Sequence, residues 1–244
     1  MSLNLGSLKN YLQATSKVSS AHADTPPKLM HLVNKMEELF QQEVFVSMED
    51  KHAFDTLLSM NAYTLWLSSV RQVLSGHSVS VFPVLRTALE SACYALLISG
   101  DEKNASVWGD RNKSNSASGR CRKEFTASKA TKKLCLINAE MAKYTDDLYE
   151  ALIDFGAHPN QRSILSRVQM EALPDGRGLL RMSTVYEAYS WEINCGLFLC
   201  VEAGLAIAFI IAAGVPEHPL HGSRIGAFQE MMDLKNSSIK DLEG

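Results

Sequence analysis

The sequence predicts a mainly all-α protein, a multi-helix bundle of about six main helices with one small β-hairpin inserted, and three observations support this. Apolar residues recur at spacings of three and four along most of the 244 residues, the period of a helix with one buried face. The main breakers fall between those periodic stretches. In one place only, residues 166–184, the period drops to two. With 46% apolar and 21% charged residues, the chain can hide roughly 70 to 75% of its unfolded surface. A single helical domain over residues 4–242 is therefore expected. Met1-Ser2-Leu3 and Glu243-Gly244 resemble expression-vector scars.

The first helix is expected from about Leu5 to Lys17, and the polar loop after it ends in Pro26 and Pro27, which suit the first turn of the next helix. That second helix reaches about Val46. Ser47 reads as an N-cap supported by Asp50, and Phe54, Leu57, Leu58, Leu65 and Leu67 carry the third helix to Gly76. The fourth spans about Ser80 to Ser99 and is closed by Gly100. A short helix around Ala105 to Arg111 leads into Lys113–Gly119, whose small polar residues predict a mobile loop. Helix resumes near Arg120 and runs, with a break near Asn138, to Phe155; Tyr144, Leu148, Leu152 and Phe155 form its stripe before Gly156. Alternation over Val168–Ala172, turn residues at Pro174-Asp-Gly176 and alternation over Leu180–Thr184 predict the hairpin.

Thr184 and Glu187 have capping-box spacing and predict the start of a long apolar helix that ends at Gly214, before Pro216. Its second half, Gly196 to Val215, matches the roughly 20 apolar residues of a membrane span. Glu202 opposes that reading, because a carboxylate at mid-bilayer costs roughly 2.5 to 3.5 kcal/mol. No Lys or Arg closely flanks the segment to orient it. A core or dimer-interface helix is expected instead, with no membrane and a homodimer as partner state. The five cysteines are odd in number and show no CxxC spacing, so they read as reduced thiols. With no secretory leader in the sequence, a cytoplasmic location is expected.

A net charge of -3 gives no global reason for nucleic-acid binding. Locally, Asp110 to Lys133 holds eight bases and two acids, +6 against -9 in the remainder. Arg111, Arg120, Arg122 and Lys123 form the candidate nucleic-acid patch. Phe125 is the sole aromatic there, too few for base stacking, so contact with phosphates or a plainly solvated helix face are the two readings.

The fourth helix is too apolar for a surface, yet it carries Arg86 and Glu90 at i and i+4, with Tyr94 continuing the line and Thr87 and Ser91 beside it. Buried charges are rarely unpaired. The stripe is therefore either a structural ion pair or a cleft in which Arg86 binds a phosphate or carboxylate and Glu90 orients it or accepts a proton. His158 precedes Pro159, which excludes α geometry and restricts the imidazole. It either caps the preceding helix or joins Arg86 and Glu90, with Asn160 nearby, as acid, base or ligand. No HxxxH or HxH pair, zinc-spaced Cys/His cluster, Gly-rich phosphate loop or GxSxG elbow occurs, so no metal or cofactor is expected. Whether the protein is an enzyme stays open on these residues.

Arg86-Thr-Ala-Leu-Glu90, then Trp108 and Arg111, the Lys/Arg-rich stretch and Gly156-Ala-His-Pro-Asn160 resemble a group of poorly characterised bacterial helical proteins that are similar to the HEPN superfamily. The likeness covers about Phe54 to Val215. It implies a helical, frequently dimeric domain, and in some members a ribonuclease marked by an arginine followed four to six residues later by a histidine. Arg71-Gln-Val-Leu-Ser-Gly-His77 has that spacing, with Gly76 ending the helix before His77. No arginine precedes His158 in the same way. With the resemblance, the stripe predicts an anionic ligand or RNA bound in a polar cleft centred on Arg86, Glu90 and His158; the alternative is a non-catalytic dimerisation or interaction module in which the ion pair is structural.

Overall fold

A computed structural model describes residues 7–47, 51–157, 161–165, 168–172, 174, 178–182 and 184–242. Its α-helices are α1 (Leu8–Asp24), α2 (Met30–Leu39), α3 (Ala53–Leu74), α4 (Val81–Ile98), α5 (Glu102–Gly109), α6 (Asn115–Glu124), α7 (Ala127–Cys135), α8 (Ala139–Leu152), α9 (Gln161–Leu165), α10 (Trp191–Ala213) and α11 (Ile225–Ser237). Strands β1 (Val168–Ala172) and β2 (Gly178–Met182) pair antiparallel with Val168 opposite Met182 and Ala172 opposite Gly178. The mainly helical class and the inserted hairpin are as the periodicity predicts.

The core forms around α10, which is buried along nearly its whole length and packed on by α2, α3, α4, α8 and α11. Three contacts explain how so apolar a helix is held. Trp66 on α3 donates its indole N–H to the Cys200 carbonyl at 2.7 Å, satisfying a polar atom that burial would otherwise strand. Gly204 lets α10 approach closely, since a Cβ there would lie 2.7 Å from Met36 Cγ and 3.0 Å from Trp66 Nε1. Glu202 pairs with Lys235 of α11 at 2.6 Å. The carboxylate that weighs against a bilayer thus has its counter-ion inside the protein, and α10 is covered by its own chain. By length and composition both α4 and α10 would still suffice to cross a membrane.

The C-terminal ends of α4 and α10 meet, and two lysines satisfy their carbonyls. Lys133 of α7 donates to the Leu96 and Ser99 carbonyls at 2.7 and 2.8 Å. Lys51 donates to the Ile211 carbonyl at 3.2 Å and to Asp55 at 2.9 Å. Terminal carbonyls have no intrahelical partner, and a cation suits the negative end of the helix dipole.

Several boundaries differ from expectation for local reasons. α1 runs on to Asp24, and α2 passes into a π turn at Phe40–Val44 and a 3-10 turn at Phe45–Ser47. α3 is capped by His52, whose ring accepts the Phe54 amide, rather than by Ser47; Asp50 lies outside the described residues. The expected loop Lys113–Gly119 is helical from Asn115, because Ser114 caps α6 by accepting the Ala117 amide at 3.1 Å. The basic stretch is split at Phe125, after which Thr126 caps α7, and Asn138 caps α8 at the anticipated break. Thr184 and Glu187 open no helix. Residues 184–190 instead cross the molecule, with Tyr189 in the left-handed region at φ 63°, and α10 begins at Trp191. The amphipathic α11 is additional to the six helices expected.

Candidate functional site

The polar stripe on α4 exists and is closed by α8. Arg86 Nε donates to Glu90 Oε1 at 3.0 Å, Arg86 Nη2 donates to Tyr149 Oη at 3.1 Å, and Tyr149 in turn donates to the same Glu90 oxygen at 2.8 Å. The Arg86 and Glu90 side chains are 24% and 26% exposed. Burial first, and then Glu90, push the Tyr149 phenol up to about 12, so it remains a donor at neutral pH. Tyr94 is likewise held above its usual range, by burial and then by Glu90, and its ring meets Phe125 edge-on at 5.3 Å. Tyr94 is therefore a packing residue here. Glu90 already balances Arg86, so an added anion competes with a carboxylate for the same guanidinium.

Gly156 lies against Phe82, one turn before Arg86; a Cβ there would come within 3.0 Å of that ring. The segment following α8 is thus brought to the N-terminal half of α4. His158 and Asn160, the other residues expected at the Arg86 site, lie outside the described residues.

In the candidate nucleic-acid patch, Arg111, Arg120, Arg122 and Lys123 are all exposed. Neighbouring bases are spent locally: Lys113 pairs with Asp110 at 2.8 Å, Lys129 with Glu124 at 2.6 Å, and Lys133 caps α4. Arg120 borders a cleft of about 680 Å³ that also exposes Asp101, Asp110 and Glu124. The positive field of this stretch is diluted by the segment's own two acids and by Asp101, which precedes it in sequence and joins it in space.

A different cleft, of about 580 Å³, lies between α1 and α3. Thr15, Ser16, Ser19, Ser20 and Ser75 contribute hydroxyl-bearing side chains; Arg71, His22 and His77 supply the titratable groups, and among the described residues no carboxylate lines it. Arg71 Nη1 donates to Ser19 Oγ at 3.0 Å and to Ser75 Oγ at 3.2 Å, both neutral acceptors. His77 reaches the cleft through the way α3 ends. The Gly76 amide bonds the Val73 carbonyl and the His77 amide bonds the Gln72 carbonyl, both at 2.9 Å, which is a Schellman cap built on a left-handed glycine. The imidazole shares a 2.5 Å hydrogen bond with Tyr11 Oη from α1. Burial and then the Arg71 charge hold His77 below the usual histidine range. Arg71 and His77 consequently face one cleft although only Arg71 is helical.

The serines of α1 carry little sequence signal, because a polar helix face reads as solvated. Their alignment against Arg71 depends on α1 docking by only two buried residues, Val18 and His22. A larger cleft of about 820 Å³ borders Lys51, Asp55 and Lys133. Burial lowers both lysines and raises Asp55, and all three are committed to holding helix ends and each other. Among the described residues, no group of three or more His, Cys, Asp or Glu side chains could hold a metal. No family model matches the chain, and no curated protein or solved structure matches it.

Proposed function

We propose that this chain is a HEPN-like bacterial protein that binds a phosphate-bearing ligand, RNA in the first place, in the hydroxyl-lined cleft between α1 and α3. Arg71 is the anion-binding group in this reading. The supporting observation is an exposed guanidinium whose hydrogen-bond partners, among the described residues, are two hydroxyls, in a cleft that none of the described carboxylates lines. A phosphate oxygen would replace neutral acceptors with a charged one, and charge-assisted bonds are roughly twice as strong as neutral ones. Arg86, Glu90 and Tyr149 then serve as the tie between α4 and α8.

The test is anisotropy titration of a labelled oligouridylate at two salt concentrations. Arg71→Ala is expected to weaken binding about tenfold, equivalent to 1.4 kcal/mol, and to flatten the salt dependence by about 0.7 in log–log slope. Unchanged binding by Arg71→Ala, with loss in the Arg120→Ala, Arg122→Ala, Lys123→Ala triple variant, would move the site to α6.

A second reading, a dimerisation module, is favoured by one face of α3. Leu57, Met60 and Leu67 are 57%, 55% and 41% exposed there, in helical register with Arg71. Sedimentation is expected to show a homodimer that Leu57→Glu with Met60→Glu converts to monomer. A cytoplasmic setting accords with five unpaired cysteines.

A further inference from the structure

His22 is one of two buried residues on α1, and both of its ring nitrogens are engaged by groups whose chemistry fixes their roles. Nδ1 lies 2.9 Å from the Leu74 carbonyl, which can only accept, so Nδ1 carries a proton. Nε2 lies 3.2 Å from the Tyr189 backbone N–H, which can only donate, so Nε2 does not. The ring is therefore held in one form, the neutral Nδ1–H tautomer.

What His22 holds is the segment that crosses from β2 to α10. Tyr189 adopts a left-handed backbone at φ 63°, a conformation that costs a non-glycine residue free energy unless surrounding contacts impose it. Its ring meets His22 edge-on at 5.1 Å. Its hydroxyl donates to the Ala21 and Thr25 carbonyls at 2.7 and 3.1 Å, closing the end of α1. Further back, the Tyr186 amide donates to the Gly76 carbonyl at 2.9 Å. A Cβ on Gly76 would lie 2.6 Å from Val185 Cγ1. The segment is thus anchored at two points, Gly76 and His22, and His22 also lines the Arg71 cleft.

We propose that His22 is a proton-operated latch: protonating Nε2 sets one N–H against another, releases Tyr189 and leaves a second cation beside Arg71. An anion held beside Arg71 would favour this outcome further, as the charged groups around the ring show. From α3, Arg71 and His77 share the cleft; from the crossing segment, Tyr189 presents its ring and Glu187 is exposed; on α1 itself, Lys17 and Asp24 are exposed. Anion binding and protonation of His22 therefore assist one another, as linkage requires. The latch stands on its own contacts, and its coupling to a ligand rests on the reading of the Arg71 cleft given above.

Hydrogen exchange and ring-nitrogen NMR on the unliganded full chain test the latch directly. The expected result is the Nδ1–H tautomer at pH 7.5, with a protection factor at the Tyr189 amide that falls about tenfold or more by pH 5.5 while α10 core amides keep theirs. In His22→Gln, which can still accept the Tyr189 amide but has no proton to gain, that protection is expected to be independent of pH. An Nε2–H tautomer at pH 7.5, or constant Tyr189 protection in the wild-type chain, overturns the latch whether or not the variant folds. Adding oligouridylate, whose phosphodiesters do not titrate in this range, is expected to move the release to higher pH. Oligouridylate that binds without moving it overturns the coupling. Absence of binding overturns the Arg71 reading, and the unliganded exchange data still decide the latch.

Discussion

Arg86 and Arg71 sit on neighbouring helices of one hairpin, and their surroundings are opposite. Arg86 occupies the apolar α4, is mostly buried and is balanced by Glu90 at 3.0 Å. Arg71 occupies the exposed face of α3 and, among the described residues, bonds to serine hydroxyls. In sequence, the charge in an apolar helix draws attention because it is expensive to bury. In space, that expense is the reason it acquires a partner and ceases to attract a ligand. The exposed arginine needs no partner for stability, so of these two arginines it is the better placed for recognition.

Mutations that follow charge from full burial to full exposure test this contrast. The largest loss is expected at Asp55, whose pair with Lys51 leaves the two side chains 1% and 4% exposed. Asp55→Ala strands the ammonium and should cost about 3 to 5 kcal/mol in urea unfolding, much of it recovered by Lys51→Met with Asp55→Leu. Arg86→Ala comes next, at about 1 to 3 kcal/mol, because a quarter of the pair still touches water. Arg86→Met with Glu90→Leu should restore most of it. If Arg86→Ala instead leaves the urea midpoint unchanged but abolishes oligouridylate binding, the assignment of roles is reversed.

Acid provides a third probe. Burial holds His218 below the usual histidine range, and burial and a neighbouring charge do the same to His77 and His221. A histidine with a depressed folded-state value contributes stability that is complete above about pH 6.5 and is lost as pH falls below it. Urea midpoints should therefore drop on going from pH 7.5 to 5. His218→Gln should flatten the drop more than His77→Gln, since His218 is 2% exposed and bonded through both ring nitrogens, to the Val44 carbonyl and the Leu220 amide. The smallest effect is expected from Arg71→Ala, within about 0.5 kcal/mol of wild type in stability. Loss of binding without loss of stability is what separates this arginine from Arg86.

What could be read in the sequence follows the range of the interactions involved. Local periodicity gives α3, α4, α10 and the hairpin, because each depends on residues within one or two turns. The Arg86–Glu90 pair is legible for the same reason, being i to i+4. Tyr149, which completes it, is 63 residues from Arg86 and leaves no local trace. The capping pattern at Thr184 and Glu187 is locally sound but loses to the contacts that Val185, Tyr186 and Tyr189 make with Gly76 and His22. The α1–α3 cleft is the least legible feature: nothing in Ser16, Ser19 and Ser20 distinguishes a ligand-facing row from a wetted one until Arg71 is placed opposite. His158 and Asn160 fall outside the described residues, so the part of the α4 site built on them stands as a sequence expectation.

The position of α10 in the chain bears on how the protein is made. Synthesis proceeds from the N-terminus, and the helix that α2, α3, α4 and α8 cover is not finished until Ala213. The α3–α4 pair can close on itself early, yet the face carrying Trp66 waits for a carbonyl 134 residues downstream. Until α10 has left the ribosome, the α4 and α2 apolar faces have no lid, and the nascent chain displays them to whatever binds exposed apolar helices. Core formation therefore waits for the synthesis of α10, and a stop before Trp191 leaves α2, α3, α4 and α8 without the helix they pack on.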